Sequence, residues 1–435
     1  MVNSNDLVTI FWFRRDLRLE DNTALIHALE SKIKVLPIFI FDPNIISELP
    51  SDDARVTFIH RLLENLNRQL AAFGTSVAVF YEKPVDVFKS LATELQITSV
   101  FANKDHEPYA QNRDASITEY LSKSGIQLLL FKDHVIFEEN EIVKDDGSPY
   151  VVFTPFSRRW KAKYTEITLK TSQRVLSAND FAAHSYPFLS LPDIGFKESS
   201  IKVADFNASE ELLANYEATR NFPGLNKTSR LSPHLRFGSV SIRTIVALAY
   251  ANKMESFVNE LIWREFFIQI LWHFPQTVSR SFRPKYDRIK WRNDEIEFKK
   301  WCEGQTGYPI VDAGMRELNA TGFMQNRVRM IVASFLCKHL LIDWRWGEAY
   351  FALKLLDYEQ ASNVGNWQWA AGSGVDAAPY FRIFNPSEQV KKFDKDLVYI
   401  RKWVPELEEF SYPEPIVDHK EARERCLRVY KEALG

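Results

Sequence analysis

Apolar positions in the first 133 residues fall into short runs separated by amphipathic stretches, and the runs at 7–13, 35–41, 76–81, 99–103 and 127–131 read as strands. Residues 35–41 are Val-Leu-Pro-Ile-Phe-Ile-Phe, apolar throughout, so that strand needs cover on both faces. Strands alternating with helical patterns predict a doubly wound parallel sheet with crossover helices. From His134 to about Ser200 the periodicity weakens, and 145–149 (Asp-Asp-Gly-Ser-Pro) and 185–192 read as turns. Beyond Ile201 apolar residues recur at three- and four-residue spacing over 255–274, 311–318, 326–341 and 346–356, which predicts helices. The expected organisation is an α/β N-terminal domain over 1–133, an interdomain connector over 134–200 and an all-α domain over 201–435, with no internal repeat.

The chain has 435 residues, 46% of them hydrophobic, enough for two or three domains with sizeable cores. No window approaches the roughly 20 apolar residues of a membrane helix and no basic-then-apolar leader opens the chain, so a cytoplasmic protein is expected. Cys302, Cys337 and Cys426 lie far apart and form no C-x-x-C pair, which argues against a disulfide framework, a zinc site or a thiol redox centre. The net charge is -2, yet residues 280–292 carry six Arg and Lys against Asp287 alone, a local patch that suits phosphates or is simply a solvated loop. Nine of the eleven tryptophans come after residue 260. No G-x-G-x-x-G follows the first strand and there is no P-loop, so a dinucleotide would bind outside the α/β domain.

Four places carry candidate chemistry. In 357–386, Trp367 and Trp369 stand two positions apart within Asn-Trp-Gln-Trp; they cannot share a helix face, so one is expected inward and one outward. Residues 228–232, Thr-Ser-Arg-Leu-Ser, offer hydroxyls and backbone N–H groups before a helix, where they could cradle a pyrophosphate or merely cap the helix. On the helix around 256–274, Glu260, Trp263 and Phe267 share a face, and Glu260 and Arg264 need partners in so apolar a run. The plainest partnership is with each other, one turn apart. Asn326 and Met330 share a face of a second helix that also carries Arg327 and Arg329, an arrangement equally suited to a solvated polar face with a core methionine.

Together with Phe13-Arg14-Arg15-Asp16-Leu17-Arg18 near the start and Arg382-Ile383-Phe384-Asn385-Pro386 near the end, these residues resemble the DNA photolyase/cryptochrome family, and are most similar to the photolyases of cyclobutane pyrimidine dimers. The resemblance implies an N-terminal antenna-binding domain and a helical FAD- and DNA-binding domain. The function it implies is light-driven repair of these dimers by electron transfer from excited reduced FAD, in a monomer acting on damaged DNA. The alternative is a cryptochrome-type blue-light sensor signalling through a protein partner; the chain ends at Gly435 without the long polar tail many such sensors carry.

Residue by residue, the resemblance implies that Tyr216, Thr228, Ser229, Arg230, Leu231, Ser232, Phe257, Glu260, Arg264, Asn326, Arg329, Asp357, Tyr358, Glu359 and Asn363 hold FAD. Arg329 is expected to pair with Asp357. Glu260, Trp263, Asn326, Met330 and Trp369 would meet the flipped-out dimer, with Arg220, Arg327 and Arg382 on phosphates. Asn363 takes the place beside flavin N5, which is Asn in photolyases and typically Asp in plant cryptochromes. Trp369 stands where plant cryptochromes tend to have Tyr, and Asn326 and Met330 stand where the (6-4) photolyases carry two histidines. Trp367, Trp344 and Trp301 match the family's relay of electrons from the surface to the flavin. Glu107 matches the acidic residue that holds a folate antenna, although no basic partner aligns around 277–281; folate and, second to it, deazaflavin both stay open.

Overall fold

The structure is a computed structural model and describes residues 6–167 and 174–435, so 168–173 of the expected connector lie outside the described residues. Contacts divide the chain into two units. One comprises Met1–Glu138, Tyr164–Asp205 and Leu231–Leu248, the other Glu139–Lys163, Phe206–Arg230 and Ala249–Gly435.

The first unit holds a five-stranded parallel sheet of β1 (Leu7–Phe13), β2 (Val35–Phe41), β3 (Ala78–Tyr81), β4 (Gln96–Asn103) and β5 (Gln127–Phe131), in the order β3-β2-β1-β4-β5. β4 starts earlier than its apolar run suggests because Gln96 and Ile97 already pair with Leu7 and Val8. Helices α1 (Thr23–Glu30), α2 (Ala54–Leu70), α3 (Pro84–Glu94) and α4 (Pro108–Ser122) cover both faces. Alternation along β1 serves the two sides: Phe11 and Phe13 pack with Leu25, Leu63 and Leu66, while Val8, Ile10 and Trp12 pack with Phe88, Leu91, Ile117 and Leu121. After β1 the motif Phe13 to Arg18 is spent on buried ion pairs. Arg14 bonds both oxygens of Asp114 at 2.7 and 2.6 Å, and Arg18 reaches Asp133 at 2.7 Å.

The stretch expected as a connector contains a helix, α5 (Phe153–Glu166). Its buried positions are Phe156, Ser157 and Trp160, too few apolar positions for a period to show. The Trp160 indole N–H donates to Glu265 at 2.7 Å.

The second unit is built from helices, chiefly α6 (Glu255–His273), α7 (Glu295–Glu303), α8 (Pro309–Thr321), α9 (Asn326–Ser334), α10 (Trp344–Lys354), α11 (Gln360–Ala371) and α12 (His419–Leu434). The helix expected over 326–341 gives way at Phe335–His339 to a π-helical turn. That turn carries Lys338 inward, where its ammonium donates to Ala371 O at 2.8 Å and lies 3.9 Å from the Tyr430 ring centroid. Two glycines set the spacing around α11. A Cβ at Gly347 would lie 2.1 Å from the Trp367 ring, and one at Gly365 would lie 2.2 Å from Phe267. Among the described residues no helix is long and apolar enough to cross a membrane.

Candidate active site

Helix α11 ends at Gly372, with φ 88°, where the N–H groups of Gly372, Ser373 and Gly374 all donate to Gln368 O at 2.9, 3.0 and 3.1 Å. Trp367 points into the core and Trp369 is partly exposed, the inward and outward pair that the spacing requires. Gln368 between them is buried and its side chain makes three bonds: the amide oxygen accepts from Phe282 N–H at 2.8 Å and the amide nitrogen donates to Thr277 O and Arg280 O at 2.8 and 3.0 Å. Earlier on the helix, Asn363 is buried, and its amide nitrogen donates to the carboxylate and the backbone carbonyl of Glu348 at 2.9 and 3.0 Å. Burial raises the Glu348 carboxyl pKa, and the Asn363 bond offsets part of that shift. Both bonds engage the nitrogen, so the Asn363 carbonyl oxygen keeps its lone pairs for a ring N–H.

Glu260 does not pair with Arg264. Its carboxylate bonds Arg220 at 2.5 Å, and Arg264 turns to Glu359 at 3.1 Å, where Ser362 also donates at 3.1 Å. A partner 40 residues back along the chain wins because Arg220 ends a short turn that packs on α6: its guanidinium lies over Tyr216 at 5.2 Å, and Tyr216 meets Phe257 edge to face at 5.3 Å. Burial raises the Glu260 pKa, opposed by Arg220. Burial and the Glu260 charge raise that of Tyr216.

Gln325, which carries no charge or motif to mark it in the sequence, caps α9. Its oxygen accepts from the N–H groups of Arg327 and Val328 at 2.7 and 3.3 Å, and its amide donates to Arg220 O. Arg327 bonds Asn221 at 2.8 Å and lies 4.5 Å over Phe393. Arg329 bonds Asp357 at 2.9 Å, the expected pair, and also Met324 O at 2.7 Å. Asn326 is exposed, Met330 and Tyr358 are half-buried, and Arg382 is exposed with its guanidinium 5.8 Å from Phe384. Arg327 feels Arg220 and Arg382: burial first, then these two cations, lowers its pKa.

In 228–232, Ser229 is buried and Arg230 has φ 54° with its guanidinium 3.5 Å over Phe323. Leu231 and Ser232 open the helix Ser232–Phe237, which belongs to the first unit. The Thr228 hydroxyl oxygen is buried with no hydrogen-bond partner among the described residues. An unsatisfied buried hydroxyl is costly in a protein alone and natural beside an anionic phosphate. This donor, the Arg329–Asp357 and Arg264–Glu359 pairs and the Asn363 amide form a set that fits a flavin dinucleotide.

Residues 9–175 match the DNA photolyase family and 257–411 match the FAD binding domain of DNA photolyase. A deoxyribodipyrimidine photo-lyase of Vibrio cholerae is 39% identical over 98% of this chain and 100% of its own. The chain belongs to the DNA photolyase family. Two solved structures share its fold: a class III photolyase from Agrobacterium tumefaciens, with TM-score 0.87, 36% identity and 99% and 98% of the two chains covered, and an archaeal photolyase from Sulfolobus tokodaii, described with two FAD molecules, at 0.85, 36%, 98% and 100%.

The three tryptophans expected in the family's relay all lie in the interior. Trp301, Trp344 and Trp367 are 0, 1 and 2% exposed, so none of them reaches solvent. Trp301 meets Trp367 edge to face at 6.1 Å and donates to Val332 O at 3.2 Å, which makes it an interior neighbour and not the outer end of a path. Trp291 is partly exposed, and its flanking residues run beside the start of α10: Arg292 N–H donates to Leu341 O at 2.8 Å and Asn293 accepts from Asp343 N–H at 2.9 Å. Trp291 lies in the basic 280–292 stretch, whose charge points to phosphates and carries no signal for electron transfer.

Glu107, the expected antenna residue, sits at the start of α4 and bonds Arg15 and Arg236 at 3.4 and 3.2 Å. All three residues lie in the first unit.

Proposed function

We infer that this chain repairs cyclobutane pyrimidine dimers in DNA with light absorbed by FAD held in its helical unit. Fully reduced FAD, when bound, would supply light absorption and a transferable electron for splitting the dimer. The chain's own residues bind, orient and shield. Thr228, Ser229 and Arg230 take the phosphates, while Asn363, oriented by Glu348, presents its amide carbonyl to the flavin ring. Trp263 and Trp369 pack on the flipped-out pyrimidines, and Glu260 meets their polar edge. Arg220 and Arg382 lie close enough to Arg327 that, after burial, their charges lower its pKa, a clustering of cations that suits a phosphate, and Arg327 is additionally held by Asn221.

The buried Asn363–Glu348 pair carries the reading. A neutral amide at this place suits a flavin kept reduced for repair and counts against the sensor alternative, whose plant members typically have Asp there. Trp291, Trp344 and Trp367 serve as the path that recharges the flavin, with Trp301 packed against Trp367. The antenna is assigned to Glu107 in the first unit, with folate before deazaflavin.

The purified protein should therefore show a flavin absorption spectrum and should bind dimer-containing DNA more tightly than the same duplex without a dimer at equal salt. A colourless protein with equal affinity for both duplexes would contradict the reading.

A further inference from the structure

Phe153 opens α5 and stacks face to face on Trp263, with ring centroids 3.8 Å apart and planes at 4°. Trp263 also meets Phe266 edge on at 5.6 Å and Phe267 tilted at 5.4 Å. A stack this close covers one indole face and fixes its plane, so an incoming base meets only what Phe153 leaves uncovered.

Phe153 is itself held. Its backbone N–H donates to the Asp376 carboxylate at 3.3 Å. Asp376 adopts φ 45°, a left-handed conformation that a non-glycine residue keeps when its surroundings impose it. It lies in the loop that leaves the C-terminus of α11, the helix bearing Trp369, and the start of that loop is clamped by three N–H groups on Gln368 O. A carboxylate attached to the Trp369 side therefore holds the residue that sets the plane of Trp263. Neither Phe153 nor Asp376 stood among the residues that the sequence singled out.

We propose that Phe153 and Asp376 form a tie that fixes the two aromatic walls of the lesion pocket relative to each other, and so act as positioning residues for recognition of the dimer over intact DNA. This rests on the reading of Trp263 and Trp369 as the rings that receive the lesion. The tie contributes to selectivity through Trp263 and touches no reacting atom.

The test is the ratio of affinities for dimer-containing and dimer-free duplex, measured at one salt concentration on the FAD-loaded protein, with flavin content and melting temperature recorded alongside. Phe153→Leu keeps apolar volume and removes the stack, so the ratio should fall roughly 2- to 10-fold, the range a lost aromatic pair supplies. Phe153→Tyr should restore it. An unchanged ratio in Phe153→Leu, with the ratio lost in Trp263→Ala, overturns the tie and leaves the lesion reading standing. An unchanged ratio in Trp263→Ala overturns both. Should Phe153→Leu fail to fold, Asp376 decides: Asp376→Asn keeps an acceptor and tolerates the left-handed backbone, whereas Asp376→Gly relieves the strain and removes the acceptor. A lower ratio in the glycine variant alone supports the tie, and equal ratios overturn it.

Discussion

Glu260 shows how a single side chain can be chemically legible while its partner is not. The sequence marks it as a carboxylate in an apolar helix, but Arg220 comes from a distant turn, and only packing selects it over Arg264. Glu348 was invisible for a related reason, since an acid on a helix is ordinarily exposed and only the fold of α10 against α11 brings it to Asn363. The Arg329–Asp357 pair, 28 residues apart, was legible only through the family resemblance. For Glu260→Gln we expect FAD to stay bound and repair per absorbed photon to fall, because the bonds to the charged dimer are altered. Arg220 is left without its carboxylate, yet its side chain is 27% exposed, so the stability loss should stay below the roughly 3–5 kcal/mol of a fully buried broken pair. Melting temperature and quantum yield measured together check this; a large loss of stability with normal yield would make Glu260 structural.

His339 offers a second test at this scale. Its Nε2 lies 2.8 Å from His419 Nδ1, and burial, followed by the charges of His419 and Arg425, lowers its pKa from 6.5 to about 3. Between those values the unfolded chain holds a proton that the folded chain does not, so this contribution is present above pH 6.5 and is lost as pH falls towards 3. Going from pH 7 to 5 should cost about 2 kcal/mol. His339→Gln, which keeps a hydrogen-bonding group, should reduce that loss in urea titrations at the two pH values.

At the scale of elements, strands buried on both faces announced themselves as uninterrupted apolar runs, and the sheet came out as expected. Helix α5 did not, because its inward face is little more than Phe156 and Trp160. The break after α9 was equally hidden, since the buried Lys338 and His339 read as surface residues. The close approach of α10 to α11 depends on Gly347, so Gly347→Ala should displace the Trp367 ring and destabilise the protein by about 1–3 kcal/mol. Thermal melts would check the stability, and the rate of flavin photoreduction would report the displaced ring. Along the tryptophan path, Trp344→Phe and Trp291→Phe should block or slow photoreduction of oxidised FAD while chemically pre-reduced enzyme still repairs DNA. Trp301→Phe should slow it less, because Trp301 is buried beside Trp367 and has no outlet to solvent. A Trp291 variant that photoreduces normally would remove that residue from the path.

For the whole molecule, a net charge of -2 does not speak against the proposed phosphate contacts of Arg220, Arg327 and Arg382, because many opposite charges are consumed in internal pairs such as Arg14–Asp114 and Arg18–Asp133. Affinity for DNA should therefore fall steeply with salt, and Arg327→Ala should lessen the log–log slope by about 0.9, the contribution of one phosphate contact. An unchanged slope would mean that Arg327 contacts no phosphate. In the proposed function these residues together turn light into dimer repair. The measurement that tests it most directly is repair of a dimer-containing oligonucleotide by the reduced, FAD-loaded protein under blue light and in darkness. Restored pyrimidines in the light and none in the dark are expected, whereas equal, zero conversion in both by a protein that carries reduced FAD and binds the oligonucleotide would contradict the account.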